Sequence, residues 1–123
     1  MFGGKKKEPS VNQEIKTLIS AGTIFEGNIT VPEGITRIDG KVVGNITGNA
    51  YVIIGESGSV KGDISVDSLI AYGEISGNIK ARSVELKNGS KVLGNLEVSE
   101  LYVEKGAIYN GECRMVEGFK ENP

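Results

Sequence analysis

Apolar and polar residues alternate around a short motif, Gly-Asn/Asp-Ile/Leu, that recurs along most of the chain. A large apolar residue stands two positions before each motif glycine, a second apolar residue two positions after it, and a polar residue three positions after it. This period of two is the pattern of a half-buried β-strand. The copies are Gly27-Asn28-Ile29, Gly44-Asn45-Ile46, Gly62-Asp63-Ile64, Gly77-Asn78-Ile79, Gly94-Asn95-Leu96 and a degenerate sixth, Gly111-Glu112-Cys113.

Each repeat also holds a second apolar pair and a further glycine before the next motif. The pairs are Val52 and Ile54, Leu69 and Ala71, Val84 and Leu86, and Leu101 and Val103, with Thr36 and Ile38 as the expected counterpart in the first interval. Glycine and asparagine tolerate the left-handed backbone of a sharp corner. The pattern therefore predicts about three short strands per repeat, separated by glycine-containing corners.

The spacing of the motifs predicts the architecture. The motif glycines lie at positions 27, 44, 62, 77, 94 and 111, so that successive intervals are 17, 18, 15, 17 and 17 residues. Repeats this small bury their apolar faces only by stacking on one another. A left-handed β-helix usually keeps a strict six-residue period, and these intervals break it. In a β-sandwich, no regular spacing of a motif is expected. We therefore predict an all-β fold, a right-handed parallel β-helix of about six windings.

The length of 123 residues fits one domain. We expect the β-helix over residues 15–116, a flexible tail over residues 1–14 and a short tail over residues 117–123. The net charge is −2, with 14 basic and 16 acidic residues, and this balance does not indicate a nucleic-acid-binding protein. A single cysteine and the lack of an apolar secretory signal favour the cytoplasm.

Several classes of enzyme are disfavoured by residues that the sequence lacks. It contains no histidine, so no imidazole can serve as a general base or zinc ligand. This argues against left-handed β-helix acyltransferases and their zinc relatives, which typically use histidine in these roles. It has no G-x-x-x-x-G-K-[ST] phosphate loop, which argues against nucleotide-driven assembly. Right-handed β-helix lyases carry their sites on long loops, for which these intervals leave no room. We expect neither catalysis nor a cofactor.

The ordered set of repeats resembles the bactofilin family. The similar stretches are Thr17 to Ile29, Arg37 to Ile46 and the closing Gly106 to Cys113, within a resemblance that spans about residues 15 to 116. The resemblance implies a bacterial cytoskeletal polymer that forms without nucleotide and joins like ends to like ends. It further implies inner-membrane binding through the N-terminal segment and a scaffold role for cell-wall enzymes and cell shape. Tyr109 departs from the phenylalanine often found there in the family.

The ends of the solenoid are the main candidate binding sites. A terminal coil exposes core side chains and unpaired backbone groups, and no polar cap is evident at the C-terminal end. We expect end-to-end polymerisation through two sets of apolar residues. The N-terminal set is Leu18, Ile19, Ile24 and Phe25, and the C-terminal set is Val103, Ile108, Tyr109, Cys113 and Met115. The alternative is that these residues complete the core of a non-polymerising β-helix, a soluble adaptor that binds a cell-wall enzyme.

The N-terminal tail is a candidate membrane anchor. Met1 and Phe2 are apolar, and Lys5, Lys6 and Lys7 form a cation cluster. Each lysine near an anionic membrane contributes roughly 1 kcal/mol, and a filament would present many copies of the tail. The alternative is a solvated, disordered tail.

Two further features concern single side chains. Cys113 stands at an inward position, so we expect a small buried hydrophobe without a redox or metal role. Val43 and Leu93 each follow an inward valine and cannot also point inward in regular strand geometry. We expect a local bend or corner to shield them, with a lateral or partner contact as the alternative.

Overall fold

The computed structural model describes residues 14–117, which form fifteen short β-strands and no helix. The strands are β1 Ile15–Ile19, β2 Ile24–Glu26, β3 Ile29–Thr30, β4 Ile35–Ile38, β5 Lys41–Val43, β6 Ile46–Thr47, β7 Tyr51–Ile54, β8 Ser59–Lys61, β9 Ile64–Ala71, β10 Glu74–Ser76, β11 Ile79–Leu86, β12 Lys91–Leu93, β13 Leu96–Val103, β14 Ile108–Asn110 and β15 Cys113–Met115.

The strands wind into six coils, and every pairing between coils is parallel. One face is a six-stranded sheet with the order β14-β12-β10-β8-β5-β2. The other two faces belong to a nine-stranded sheet that turns a corner, because β9, β11 and β13 each run along both faces. Coil 1 comprises β1 to β3, and coil 6 comprises the second half of β13 with β14 and β15. The predicted parallel β-helix of about six windings is confirmed.

Equivalent residues of successive coils form columns that point into the solenoid. One column consists of Ile29, Ile46, Ile64, Ile79, Leu96 and Cys113, and a second of Phe25, Val42, Val60, Ile75, Val92 and Tyr109. In coils 2 to 5 the members of both columns are buried, with at most 2% exposure. Each inward side chain therefore packs on its equivalents above and below. Thr36 pairs with Val52, as the pattern predicted, and it too is buried.

The motif glycine is required by the closeness of neighbouring coils at one corner. Gly77 has a φ of 153°, and a Cβ on it would overlap the carbonyl oxygen of Gly62 in the coil below. The equivalent glycines of coils 2 to 6 all meet the previous motif glycine in this way. A side chain at this corner would force the coils apart, so the glycine serves the stacking of coils as well as the turn.

The residue after the glycine forms a hydrogen-bond ladder along the solenoid, which the sequence pattern alone does not reveal. The Asn28 side-chain oxygen accepts a hydrogen bond from the backbone N–H of Asn45, at 3.0 Å. The same bond repeats from coil to coil at 2.9 to 3.2 Å, through Asn45, Asp63, Asn78 and Asn95, and ends at the backbone N–H of Glu112. Asn and Asp both carry an oxygen on the γ-carbon, and this oxygen is the acceptor in all five bonds, which explains the Asn/Asp preference.

The uneven intervals arise at the corners, while the strands stay in register. Within residues 14–117, four corners contain a turn closed by a backbone hydrogen bond between residues three apart, namely 20–23, 55–58, 87–90 and 104–107. The interval of 15 residues contains the short corner at Tyr72 and Gly73, which leads directly from β9 into β10. Insertions at the corners therefore leave the inward columns intact.

Candidate assembly interface

Both ends of the solenoid present strand edges that have no neighbour among residues 14–117. At the N-terminal end, β1, β2 and β3 pair only with the strands of coil 2. At the C-terminal end, β14, β15 and the second half of β13 pair only with strands of coil 5. Unpaired edges of this kind are templates for pairing with another chain.

The inward residues of coil 1 form the N-terminal end face, and they are mostly covered. This face consists of Thr17, Ile19, Phe25, Ile29 and Val31. Val31 is only 4% exposed, and Ile19, Phe25 and Ile29 are half-buried against the core. Thr17 brings a hydroxyl to this face and pairs with Thr36, whose own buried hydroxyl oxygen has no hydrogen-bond partner. The N-terminal end face is therefore apolar except for the hydroxyl of Thr17.

The inward residues of coil 6 form the C-terminal end face, which is more open. This face consists of Leu101, Val103, Tyr109, Cys113 and Met115. Val103 is 53% exposed and Met115 is 56% exposed. The edge strand β15 is held to β13 by its backbone pairing and by an exposed ion pair of 3.2 Å between Arg114 and Glu97. More of the apolar surface of this end thus remains available to a partner.

The hydroxyl of Tyr109 has partners within its own chain. It lies 2.9 Å from the carbonyl oxygen of Gly94 and 2.8 Å from that of Glu112, and it donates its single proton between them. Burial raises the pKa of the Tyr109 phenol above its ordinary value, and the charges of Cys113 and Glu112 act in the same direction. The tyrosine therefore fits this position, and its ring is fixed before any partner arrives.

The expectation that Cys113 is buried is wrong for the single chain. Cys113 occupies the inward column above Leu96, as predicted, but its side chain is exposed. The reason is that no further coil covers it within the described chain. Its sulfur lies 3.9 Å from the sulfur of Met115.

The predicted interface residues divide between the end faces and the outer flanks. Ile19, Phe25, Val103, Tyr109, Cys113 and Met115 lie on the two end faces. Leu18, Ile24 and Ile108 pair with outward residues of the neighbouring coil, Arg37, Lys41 and Lys91, and point away from the core. The sequence pattern missed Thr17, Ile29, Val31 and Leu101, although counting the inward columns down to each terminal coil would have found them.

Val43 and Leu93 both point outward. Val43 pairs with Glu26 and Lys61 and is half-buried, whereas Leu93 pairs with Ser76 and Asn110 and is 40% exposed. Both residues end a regular strand directly before a corner glycine, Gly44 or Gly94. The expected shielding is partial for Val43 and wrong for Leu93, which remains open to a contact.

The predicted membrane-binding residues Met1, Phe2, Lys5, Lys6 and Lys7 lie outside the described residues. Within residues 14–117, no helix is long and apolar enough to cross a bilayer. The same part of the chain holds no group of three or more potential side-chain metal ligands from cysteine, aspartate and glutamate.

Comparison with known proteins agrees with this geometry. The family model for bactofilin, described as polymer-forming cytoskeletal, matches residues 17–114. Two bactofilins of Myxococcus xanthus strain DK1622 are each 30% identical to the chain. The alignment with BacP covers 89% of the chain and 46% of BacP, so the chain spans less than half of that relative. The alignment with BacO covers 80% of the chain and 79% of BacO.

Two solved structures share the fold. The structure of the cytoskeletal bactofilin BacA, determined by solid-state NMR, matches with a TM-score of 0.75 and 29% identity, over 85% of this chain and 99% of that one. The crystal structure of a phenylalanine-to-arginine mutant of the Thermus thermophilus bactofilin matches with a TM-score of 0.67 and 27% identity, over 72% of this chain and 98% of that one. The chain belongs to the bactofilin family of polymer-forming cytoskeletal proteins.

Proposed function

We propose that the chain assembles end to end into filaments, without nucleotide, and acts as a scaffold on the cytoplasmic face of the cell membrane. The observation that carries the proposal is that the terminal strands at both ends have an edge without a partner among residues 14–117. Each end presents apolar inward residues together with unpaired strand edges. The contacts that join subunit to subunit would be of the same kind as those that join coil to coil, so assembly needs no energy source beyond burial and pairing.

The joints in this proposal connect like ends, so that the filament has no overall polarity. Each end face is apolar in its own right and can pack on a copy of itself about a two-fold axis. Two different isologous joints then alternate along the filament. The family resemblance implies this arrangement, whereas head-to-tail stacking, which would simply continue the inward columns, is the competing geometry.

The first test is negative-stain microscopy of the purified chain without nucleotide, where we expect filaments. Uniform particles of monomer or dimer size would contradict assembly. They would favour the alternative function, a non-polymerising adaptor that binds a cell-wall enzyme.

A pair of end variants distinguishes the two geometries. Tyr109→Arg places a charge on the C-terminal end face, and Phe25→Arg does the same at the N-terminal end face. With like-to-like joints, each variant loses one kind of joint and should form dimers through the other. With head-to-tail joints, every contact uses both ends, so each variant should be a monomer. Sedimentation velocity separates these outcomes, and the double variant serves as the monomer reference.

Membrane attachment is the second part of the proposal. Three lysines and two apolar residues give weak binding in a single tail, because stable anchoring needs two or more signals. A filament carries many tails and so binds firmly through multivalency. Deletion of residues 2 to 7 should abolish pelleting with anionic liposomes, whereas deletion of residues 119–123 should leave it intact. Undiminished pelleting of the first variant would refute the anchor.

The scaffold role follows from a filament fixed on the membrane. Such a filament offers many identical sites to client proteins, and cell-wall enzymes are the clients that the family resemblance implies. This role is structural and needs no catalytic residue. A two-colour localisation experiment tests it: a client that depends on the filament should lose its position in cells that carry the Tyr109→Arg variant.

A further inference from the structure

Exposed apolar side chains concentrate at the two ends of the solenoid. Eight large apolar residues are exposed within the described chain, and seven of them lie in coil 1 or coil 6. Val103 and Met115 belong to the C-terminal end face. The others in these two coils are Ile15, Leu18 and Ile24 at the N-terminal end, and Tyr102 and Ile108 at the C-terminal end.

Four of these outward residues occupy the same two columns at opposite ends. The first column runs through Leu18, Arg37, Ile53, Ile70, Glu85 and Tyr102. The second runs through Ile24, Lys41, Ser59, Glu74, Lys91 and Ile108. We call Leu18 and Ile24 the N-terminal collar, and Tyr102 and Ile108 the C-terminal collar. All four collar residues are between 56% and 67% exposed, whereas the second column has only polar or charged residues between its ends.

The first column demonstrates what happens when two outward apolar residues meet across neighbouring coils. Ile53 and Ile70 are direct partners in the ladder between β7 and β9. Ile70 lies outside the core cluster, yet it is only 3% exposed. Directly opposed side chains on adjacent strands are close enough to cover one another. An outward apolar residue is thus covered when the coil beside it supplies suitable neighbours, which a terminal coil lacks.

From these observations we infer that the collars are part of the subunit joint and that a second copy of the chain covers them. This inference rests on the proposed end-to-end assembly, and it extends the joint beyond the core to the outer flanks. The collars adjoin the unpaired edges of β1, β2, β13 and β14, along which a second copy would pair. If the second column served lateral contacts between filaments, its inner coils would be expected to carry apolar residues as well. The residues there are polar, which favours a contact at the ends.

The collars also favour one rotation of a subunit relative to its neighbour. The two columns lie on different faces of the solenoid, because β1 and β2 belong to different sheets. A rotated joint would place a collar against polar flank residues and leave it exposed. The collars therefore select the rotation in which apolar flanks meet, while the end faces supply most of the burial.

The two columns themselves suggest the substitutions that test the collars. Ile24→Lys and Ile108→Lys introduce the residue that Lys41 and Lys91 already place in the same column, one coil further in. Leu18→Arg and Tyr102→Glu likewise copy Arg37 and Glu85. Each substitution removes an apolar flank residue with no change to an inward column. Ser59→Lys is the matched control, because it adds a lysine to the second column in coil 3, far from both joints.

We expect Ile24→Lys and Ile108→Lys each to raise the critical concentration for filament formation by about tenfold, the effect of roughly 1.4 kcal/mol. The Ser59→Lys control should assemble like the unmodified chain, and all three variants should melt at the same temperature in the monomeric background that carries both Phe25→Arg and Tyr109→Arg. Pelleting assays over a concentration series measure the effect.

The remaining outcomes separate the collars from the proposed function. If the collar variants assemble normally while Tyr109→Arg does not, the end faces carry the joint alone and the collar inference is overturned. If the collar variants form filaments at the usual concentration but no longer associate side by side, the collars serve lateral contacts, and the inference is again wrong. If the unmodified chain forms no filaments, the proposed function fails together with the collar inference.

Discussion

The same inward columns run to both ends of this β-helix, but their terminal side chains are less exposed at the N-terminal end than at the C-terminal end. At the N-terminal end face, Val31 is almost fully buried, and Thr17 and Thr36 bring hydroxyls into an otherwise apolar column. At the C-terminal end face, Val103 and Met115 are more than half exposed, and the ring of Tyr109 is held by two carbonyl oxygens. We therefore expect the C-terminal joint to be the tighter of the two, because it has more apolar surface to bury.

The largest contrast between the ends concerns their motif glycines. A Cβ on Gly111 would overlap the carbonyl oxygen of Gly94, whereas a Cβ on Gly27 meets only the ring of Phe25, at 3.6 Å. Both glycines have positive φ, 154° and 137°, so an alanine is strained at either site. Gly111→Ala should therefore cost about 3 kcal/mol more unfolding free energy than Gly27→Ala, through overpacking against backbone. Urea denaturation in a Tyr109→Arg background, at concentrations low enough for the monomer, measures the difference. Equal costs would mean that the backbone conformation alone requires the glycine.

The next contrast concerns the strength of the two joints. With like-to-like joints, Phe25→Arg leaves dimers held by the C-terminal joint, and Tyr109→Arg leaves dimers held by the N-terminal joint. Because the C-terminal end face is more open and more apolar, its dimer should have a dissociation constant about tenfold lower, or about 1.4 kcal/mol. Sedimentation velocity over a dilution series gives both constants. A tighter N-terminal dimer would reverse the comparison.

A smaller effect is expected at the buried hydroxyl near the N-terminal end. Thr36 is 1% exposed, and its hydroxyl oxygen has no hydrogen-bond partner. Thr36→Val keeps the shape and removes the unpaired group, so it should raise the unfolding free energy by about 1 kcal/mol. Thr47→Val is the control, because Thr47 is an exposed outward residue of coil 2. No gain at position 36, or an equal gain at position 47, would contradict this account.

The smallest effect is a pH dependence confined to the C-terminal end. The pKa of Tyr109 is raised in the folded chain above its ordinary value of 10.0, chiefly by burial. The stability that depends on the neutral phenol is therefore complete below about pH 10 and is lost as the pH rises through the raised pKa. As the pH rises above about 10, the unmodified C-terminal end should lose more stability than a Tyr109→Phe variant. Thermal melting of both chains in the Phe25→Arg background, at concentrations low enough for the monomer, tests this, and parallel losses would contradict it.

Much of the fold was predictable because each inward column corresponds to apolar residues at a fixed offset from the motif glycine in the sequence. The motif glycines, the apolar residues two positions on either side of them and the mid-repeat pairs are all local patterns, and Thr36 was placed correctly from its spacing alone. The ladder through Asn28, Asn45, Asp63, Asn78 and Asn95 was not predictable in the same way. Its bonds join residues 15 to 18 positions apart, and they depend on the exact stacking of the coils.

The candidate interface was only partly predictable, because a local pattern does not say which side of a terminal coil remains open. Cys113 follows the inward pattern, yet it is exposed because nothing stacks above it within the described chain. Leu18, Ile24 and Ile108 are apolar neighbours of inward residues, and only the strand register assigns them to the outer flanks.

The sequence by itself determined the strand alternation, the number of coils and the glycine corners, since each depends on neighbours a few residues apart or on a constant interval. Only the tertiary structure decided how the two ends differ. Exposure is a property of the whole stack: the same inward column is closed at Val31 and open at Met115, although both positions carry an apolar residue in the same pattern. Whether a column end is available to another chain is therefore a property of the folded coils, which no local pattern records.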